Sequence, residues 1–122
     1  YGQHGQFIAN YAKKSGVDYK GTLRGGLAVC FEAKHTDSDK MLRSRLEPHQ
    51  LEYLKVHHFL GARCFILVSF SLTDFYNVPF LVWENMKSLY GRQYLKRDDL
   101  EEYRISNTGR VLKFLAVTEG QQ

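Results

Sequence analysis

Cysteine, proline and long apolar runs are all scarce in this chain. Two cysteines among 122 residues are too few for a disulfide scaffold. Both Cys30 and Cys64 fall in apolar, strand-like runs (LAVCF and CFILV), where a thiol serves as a small buried hydrophobe. The best apolar run, Cys64 to Phe70, is interrupted by Ser69 and falls far short of the ~20 residues that span a bilayer. No membrane partner is expected. No basic segment followed by an apolar stretch opens the sequence, so a cytoplasmic location is expected. Residues 1–17 contain no Asp or Glu, and the first residue is Tyr1 rather than Met, so the natural protein is expected to begin upstream.

Aromatics are plentiful: 8 Tyr, 8 Phe and 1 Trp, within a hydrophobic fraction of 43%. That is enough apolar mass to offset the entropy of ordering one domain over residues 1–122. Lys and Arg (17) exceed Asp and Glu (13), for a net charge of +4 and a pI of about 9.1. A basic balance favours polyanionic partners. Residues 1–50 hold eight basic and five acidic side chains, so most of the excess lies in the first half.

Local patterns predict an α-β-β-α-β-β-α order. Phe7, Ile8, Tyr11 and Ala12 suit a short N-terminal helix or arm over residues 1–16. Val17–Leu23 and Leu27–Lys34 read as a β-hairpin around Arg24-Gly25-Gly26, and His35–Glu47 as a polar loop. Pro48 at a first helical position and Gly61 beyond the last turn frame a helix. Arg63–Leu72 reads as a central strand covered on both faces. Asp74 and Asn77 mark a turn, and Val78–Val82 an edge strand with Pro79. Trp83–Leu89 and Arg97–Tyr103 read as helices, the second capped by Asp98 or Asp99; Arg110–Val117 suits either a strand or a helix. The fold class is α/β (α+β), a mixed sheet flanked by helices.

The chemistry concentrates in Phe31-Glu32-Ala33-Lys34. Alternation along a strand puts Glu32 and Lys34 on one face, roughly 6.6 Å apart, with Cys30 beside them; Val29, Phe31 and Ala33 form the opposite, core-directed face. A three-residue hairpin loop pairs residue 18 with 32, so that Asp18 and Glu32 stand opposite at ~5 Å. A two-residue loop pairs 18 with 33 and turns Asp18 away. Facing carboxylates repel unless a cation lies between them or one is protonated, and two hard oxygen ligands beside a lysine suit Mg²⁺ or Mn²⁺. Gln50, Tyr53 and His57 form one stripe of the predicted helix, able to bring an amide and a phenol to the carboxylates. The five histidines lack tetrahedral-site partners at zinc spacing.

The ordered combination Gly16-Val17-Asp18-Tyr19-Lys20-Gly21, Phe31-Glu32-Ala33-Lys34, His49-Gln50 and Gly61-Ala62-Arg63-Cys64-Phe65-Ile66-Leu67-Val68 resembles the RecU-type Holliday junction resolvases of the PD-(D/E)XK nuclease superfamily. The resemblance implies a restriction-endonuclease-like core and a homodimeric, Mg²⁺- or Mn²⁺-dependent endonuclease that places paired nicks in four-way DNA junctions. It casts Asp18, Glu32 and the Ala33 backbone carbonyl as metal ligands, Lys34 as the group that orients or activates water, and Gln50 as support. Lys13, Lys14, Lys20, Arg24, Lys40, Arg43, Arg45 and Tyr53 are candidate DNA contacts. Val17 stands where the superfamily has Pro. The family's first-helix carboxylate has no match in residues 1–17: either that helix lies upstream of Tyr1, or Gln6 or Asn10 takes its place. The competing readings are a superfamily nuclease for other DNA, in restriction or repair, and a non-catalytic DNA-binding module.

Overall fold

The computed structural model describes residues 7–11, as backbone, and 19–105. Among these residues, seven strands and three α-helices follow in the order β1 (Phe7–Tyr11), β2 (Tyr19–Leu23), β3 (Ala28–Thr36), β4 (Met41–Leu42), α1 (Pro48–Phe59), β5 (Arg63–Phe70), β6 (Asp74–Pro79), α2 (Phe80–Glu84), α3 (Met86–Tyr90) and β7 (Tyr94–Leu95). 3₁₀ segments occupy Arg43–Arg45, a single turn, and Arg97–Tyr103, about two turns. The main sheet runs β1-β2-β3-β5-β6, and β4 pairs with β7 in a small second sheet. Of the described strand pairs, only β3 and β5 are parallel; α1 makes their crossover, as a parallel pair requires. The mixed sheet with flanking helices is the expected architecture. Among the described residues no helix is long and apolar enough to cross a membrane.

The hairpin has the register of the three-residue loop: Tyr19 faces Phe31 and Lys20 faces Cys30, with Gly25 and Gly26 in positive-φ conformations at the turn. Helix α1 starts at Pro48 and ends ahead of Gly61, whose φ of 103° reverses the chain directly into β5, a conformation that glycine adopts without strain.

Several boundaries differ from the sequence reading. Phe7–Tyr11 is not helical; it pairs antiparallel with β2, Tyr11 opposite Tyr19. Its aromatic and β-branched side chains suit either element, and the open edge of β2 supplies the hydrogen bonds that decide for a strand. The expected loop after His35 contains β4, whose Met41 is fully buried. The chain reverses not at Asp74–Asn77 but at Ser71 and Leu72, both left-handed with φ of 55° and 56°. Asp74 instead opens β6, where its carboxylate accepts from Arg97 at 2.9 Å and Arg104 at 3.0 Å; the strand then ends at Pro79, and Phe80 begins α2. Lys96 is the N-cap of the Arg97–Tyr103 segment, and Asp99 takes part from the third position, accepting the Lys96 backbone N–H at 2.8 Å. The Arg110–Val117 segment lies outside the described residues.

Both sheet faces are covered. Tyr19, Phe31 and Phe65 stack in a column at centroid spacings of 4.7 and 4.6 Å, with Val29, Leu67 and Phe75 around them. The larger core is on the other side, the Cys30 and Glu32 face, where Leu54, Ile66, Val68, Trp83 and Leu100 pack together. The expectation that Val29, Phe31 and Ala33 mark the core side is therefore only half of the arrangement, because α1 crosses the opposite face and buries it.

Candidate active site

β3 is flanked by β2 and β5, so a side chain on it is surrounded laterally by sheet and overhead by whatever crosses it. On the Glu32 face that element is α1, anchored by the fully buried Leu54. Glu32 is accordingly 1% exposed. A buried carboxylate is costly unless donors compensate it, and two converge on Oε1: the Gln50 amide nitrogen donates at 3.1 Å, and the Lys34 ammonium lies 3.8 Å away with its side chain 17% exposed. Lys34 thus joins the buried carboxylate to solvent.

The Gln50 amide is oriented by the start of α1. Its Oε1 accepts the Glu47 backbone N–H at 2.9 Å, a capping box in which the third helical residue reaches back to the cap. With the oxygen held there, the NH₂ group faces Glu32. Replacing Gln50 with Ala removes a helix-cap acceptor and a donor to a buried charge together. The Gln50→Ala chain is expected to be less stable by about 1–3 kcal/mol, read as a lower urea midpoint with an unchanged slope.

The rest of the α1 stripe lies along the same surface. Tyr53 stacks on His57 at 4.2 Å, and Lys20 Nζ sits 5.5 Å over the Tyr53 ring, a cation–π arrangement. The structure therefore brings Glu32, Lys34, Gln50, Lys20 and Tyr53 to one face. Ala33 stands between the two charged residues on β3, opposite Leu67. Asp18, Lys13 and Lys14 lie outside the described residues.

The other basic candidates are scattered. Arg24 is exposed at the hairpin turn. Arg45 is exposed and donates to the His35 carbonyl at 2.9 Å, which puts its guanidinium one residue beyond Lys34. Lys40 lies 4.7 Å over the Tyr94 ring. Arg43 turns toward α2, donating to the Trp83 carbonyl at 3.3 Å and to Glu84 at 3.4 Å, so its fork is engaged within the protein.

Two groupings are invisible to sequence periodicity. The Cys30 and Cys64 thiols, 34 residues apart, lie 3.3 Å from one another. His35 Nδ1 meets Ser69 Oγ at 3.2 Å while Nε2 faces Asp37 at 3.2 Å. Both arise from the parallel β3–β5 register, which sets Cys30 beside Cys64 and His35 beside Ser69. Among the described residues no three His, Cys, Asp or Glu side chains gather to hold a metal ion. The hard oxygen of Glu32 fits Mg²⁺ or Mn²⁺ better than a soft metal.

The family model described as recombination protein U matches residues 3–119. The chain belongs to the RecU family. A Holliday junction resolvase RecU of Bacillus pumilus (strain SAFR-032) is 33% identical over 99 residues, 77% of this chain and 47% of that protein; the chain thus spans about half the length of this relative. Among solved structures, Archaeoglobus fulgidus Hjc, a Holliday junction resolvase from an archaeal hyperthermophile, superposes with a TM-score of 0.50 at 15% identity, covering 62% of this chain and 61% of Hjc. At that identity the likeness is one of fold. The family match, over residues 3–119, extends over every candidate catalytic, metal and DNA-contact residue, from Lys13 to Tyr53.

Proposed function

We propose that this RecU-family chain is a divalent-metal-dependent endonuclease that resolves four-way DNA junctions in the cytoplasm by paired phosphodiester cuts, acting as a homodimer. The observation that carries the reading is the buried Glu32 carboxylate, held by Gln50 and Lys34 at the solvent boundary, in a chain of a family whose Bacillus pumilus member is named a Holliday junction resolvase.

Hydrolysis of a phosphodiester needs an oriented water, relief of charge on the phosphorane-like transition state and help for the leaving alkoxide. Glu32, the Ala33 carbonyl and Asp18 would hold Mg²⁺ or Mn²⁺, which would supply acidified water and charge neutralisation. The part for Asp18, which lies outside the described residues, rests on the family resemblance. Lys34 contributes positive charge without competing for the metal, and its partial exposure lets a phosphate reach it. Gln50 restrains Glu32. Lys20, Arg24 and Arg45 offer phosphate contacts along the approach, and Tyr53 a stacking surface for an unpaired base. Two strands must be cut, which a symmetric pair of single sites accomplishes.

The test is cleavage by the full chain, with Mg²⁺, of a synthetic four-way junction beside linear duplex and flap DNA. Symmetric nicks in the junction alone are expected, with affinity falling linearly against salt on logarithmic axes and a dimeric mass by ultracentrifugation. Cleavage of all three DNAs would point to a restriction or repair nuclease, and binding without cleavage to a non-catalytic module.

A further inference from the structure

The two cysteines are not needed by the hydrolytic reading, and their placement goes beyond filling the core. They occupy directly paired positions on neighbouring parallel strands, where Cα atoms lie about 4.8 Å apart, inside the span a disulfide tolerates. The Sγ atoms face each other at 3.3 Å and both thiols are free. Bonding needs the sulfurs to close to about 2.05 Å, a movement that side-chain rotation can supply without separating the strands. Cys30 is 3% and Cys64 6% exposed. Cys64 is among the residues that line two open surface cavities: one of about 340 Å³ with His58, Ala62 and Phe80, the other of about 470 Å³ with Asn77, Tyr103 and Arg104.

We propose that Cys30 and Cys64 form a dithiol modification site that a low-molecular-weight disulfide converts to an intrachain bridge. Cys64 sulfur attacks the small disulfide, forming a mixed disulfide and releasing one small thiol. Cys30 sulfur then attacks Cys64 sulfur, expelling the second small thiol and closing the Cys30–Cys64 bond. The two thiol hydrogens leave with the two small thiols: the protein pair is oxidised and the small disulfide reduced, so no further oxidant is required. The bridge ties β3 to β5 two residues before Glu32, and the chemistry is independent of the nuclease reading.

The experiment is intact-mass spectrometry of the folded full chain incubated with glutathione disulfide. The wild-type chain is expected to lose two hydrogens, carry no lasting glutathione adduct and return to its starting mass with dithiothreitol. Cys30→Ala is expected to hold one glutathione on Cys64, since the resolving thiol is gone. A native wild-type chain that stays unmodified while the same chain in denaturant is oxidised would overturn the proposal, and so would a native chain that retains the adduct. The wild-type measurement decides on its own even if the variant fails to fold.

Discussion

Glu32→Gln is expected to lose metal-dependent turnover by on the order of 10³-fold or more while the chain stays folded. The substitution keeps the shape of a side chain that is 1% exposed and removes its charge, leaving Lys34 without the carboxylate 3.8 Å away. An amide is a poor ligand for a hard divalent cation. Raising Mg²⁺ or exchanging it for Mn²⁺ should therefore restore little. Stability should move far less than activity, because the amide oxygen introduced by the substitution can still accept from Gln50. The measurement is single-turnover junction cleavage beside a urea titration; near-wild-type cleavage at ordinary Mg²⁺ would remove Glu32 from the site. Asp18→Asn should show the same joint loss of metal dependence and turnover.

Lys34→Ala is expected to lower the cleavage rate by roughly 10²–10³-fold, the usual effect of deleting one charge-stabilising donor, while junction affinity changes little. Its side chain is 17% exposed, at the boundary between the buried carboxylate and solvent, so under the proposed reading it would meet the reacting phosphate rather than the wider DNA surface. Binding and turnover should separate: gel-shift affinity within a few-fold of wild type, single-turnover rate collapsed. A proportional loss in both would make Lys34 a general phosphate contact. Lys34→Arg keeps the charge but changes its reach and hydration, and recovery by Arg would indicate charge rather than a small, positioned ammonium.

These expectations draw unequally on sequence and on structure. Strand alternation sufficed to put Glu32, Lys34 and Cys30 on one face, because side-chain direction along a strand is a local property. Helix α1 was readable from Pro48 and Gly61, residues whose backbone preferences act at single positions; the turn at Arg24-Gly25-Gly26 was readable too, but the β2–β3 register chose its three-residue form over the two-residue one. Phe7–Tyr11 was misread because a five-residue segment has no stable local preference; its conformation comes from pairing with β2. The reversal at Ser71–Leu72 was hidden because neither residue favours the left-handed backbone it adopts, and Asp74, which looks like a turn former, is held by Arg97 and Arg104 from far along the chain.

By itself the sequence determined helix α1, the β2–β3 hairpin and the central strand β5, the face shared by the acid and the base, and the family resemblance, since each rests on residue identity at short spacing. Only the tertiary structure decided that this face is the deeper side of the sheet, that Gln50 aims its amide at Glu32 from 18 residues away, and that Cys30 meets Cys64. Those contacts depend on the crossover of α1 and on the parallel β3–β5 register, which hydrophobic burial of the whole sheet selects and no local pattern encodes.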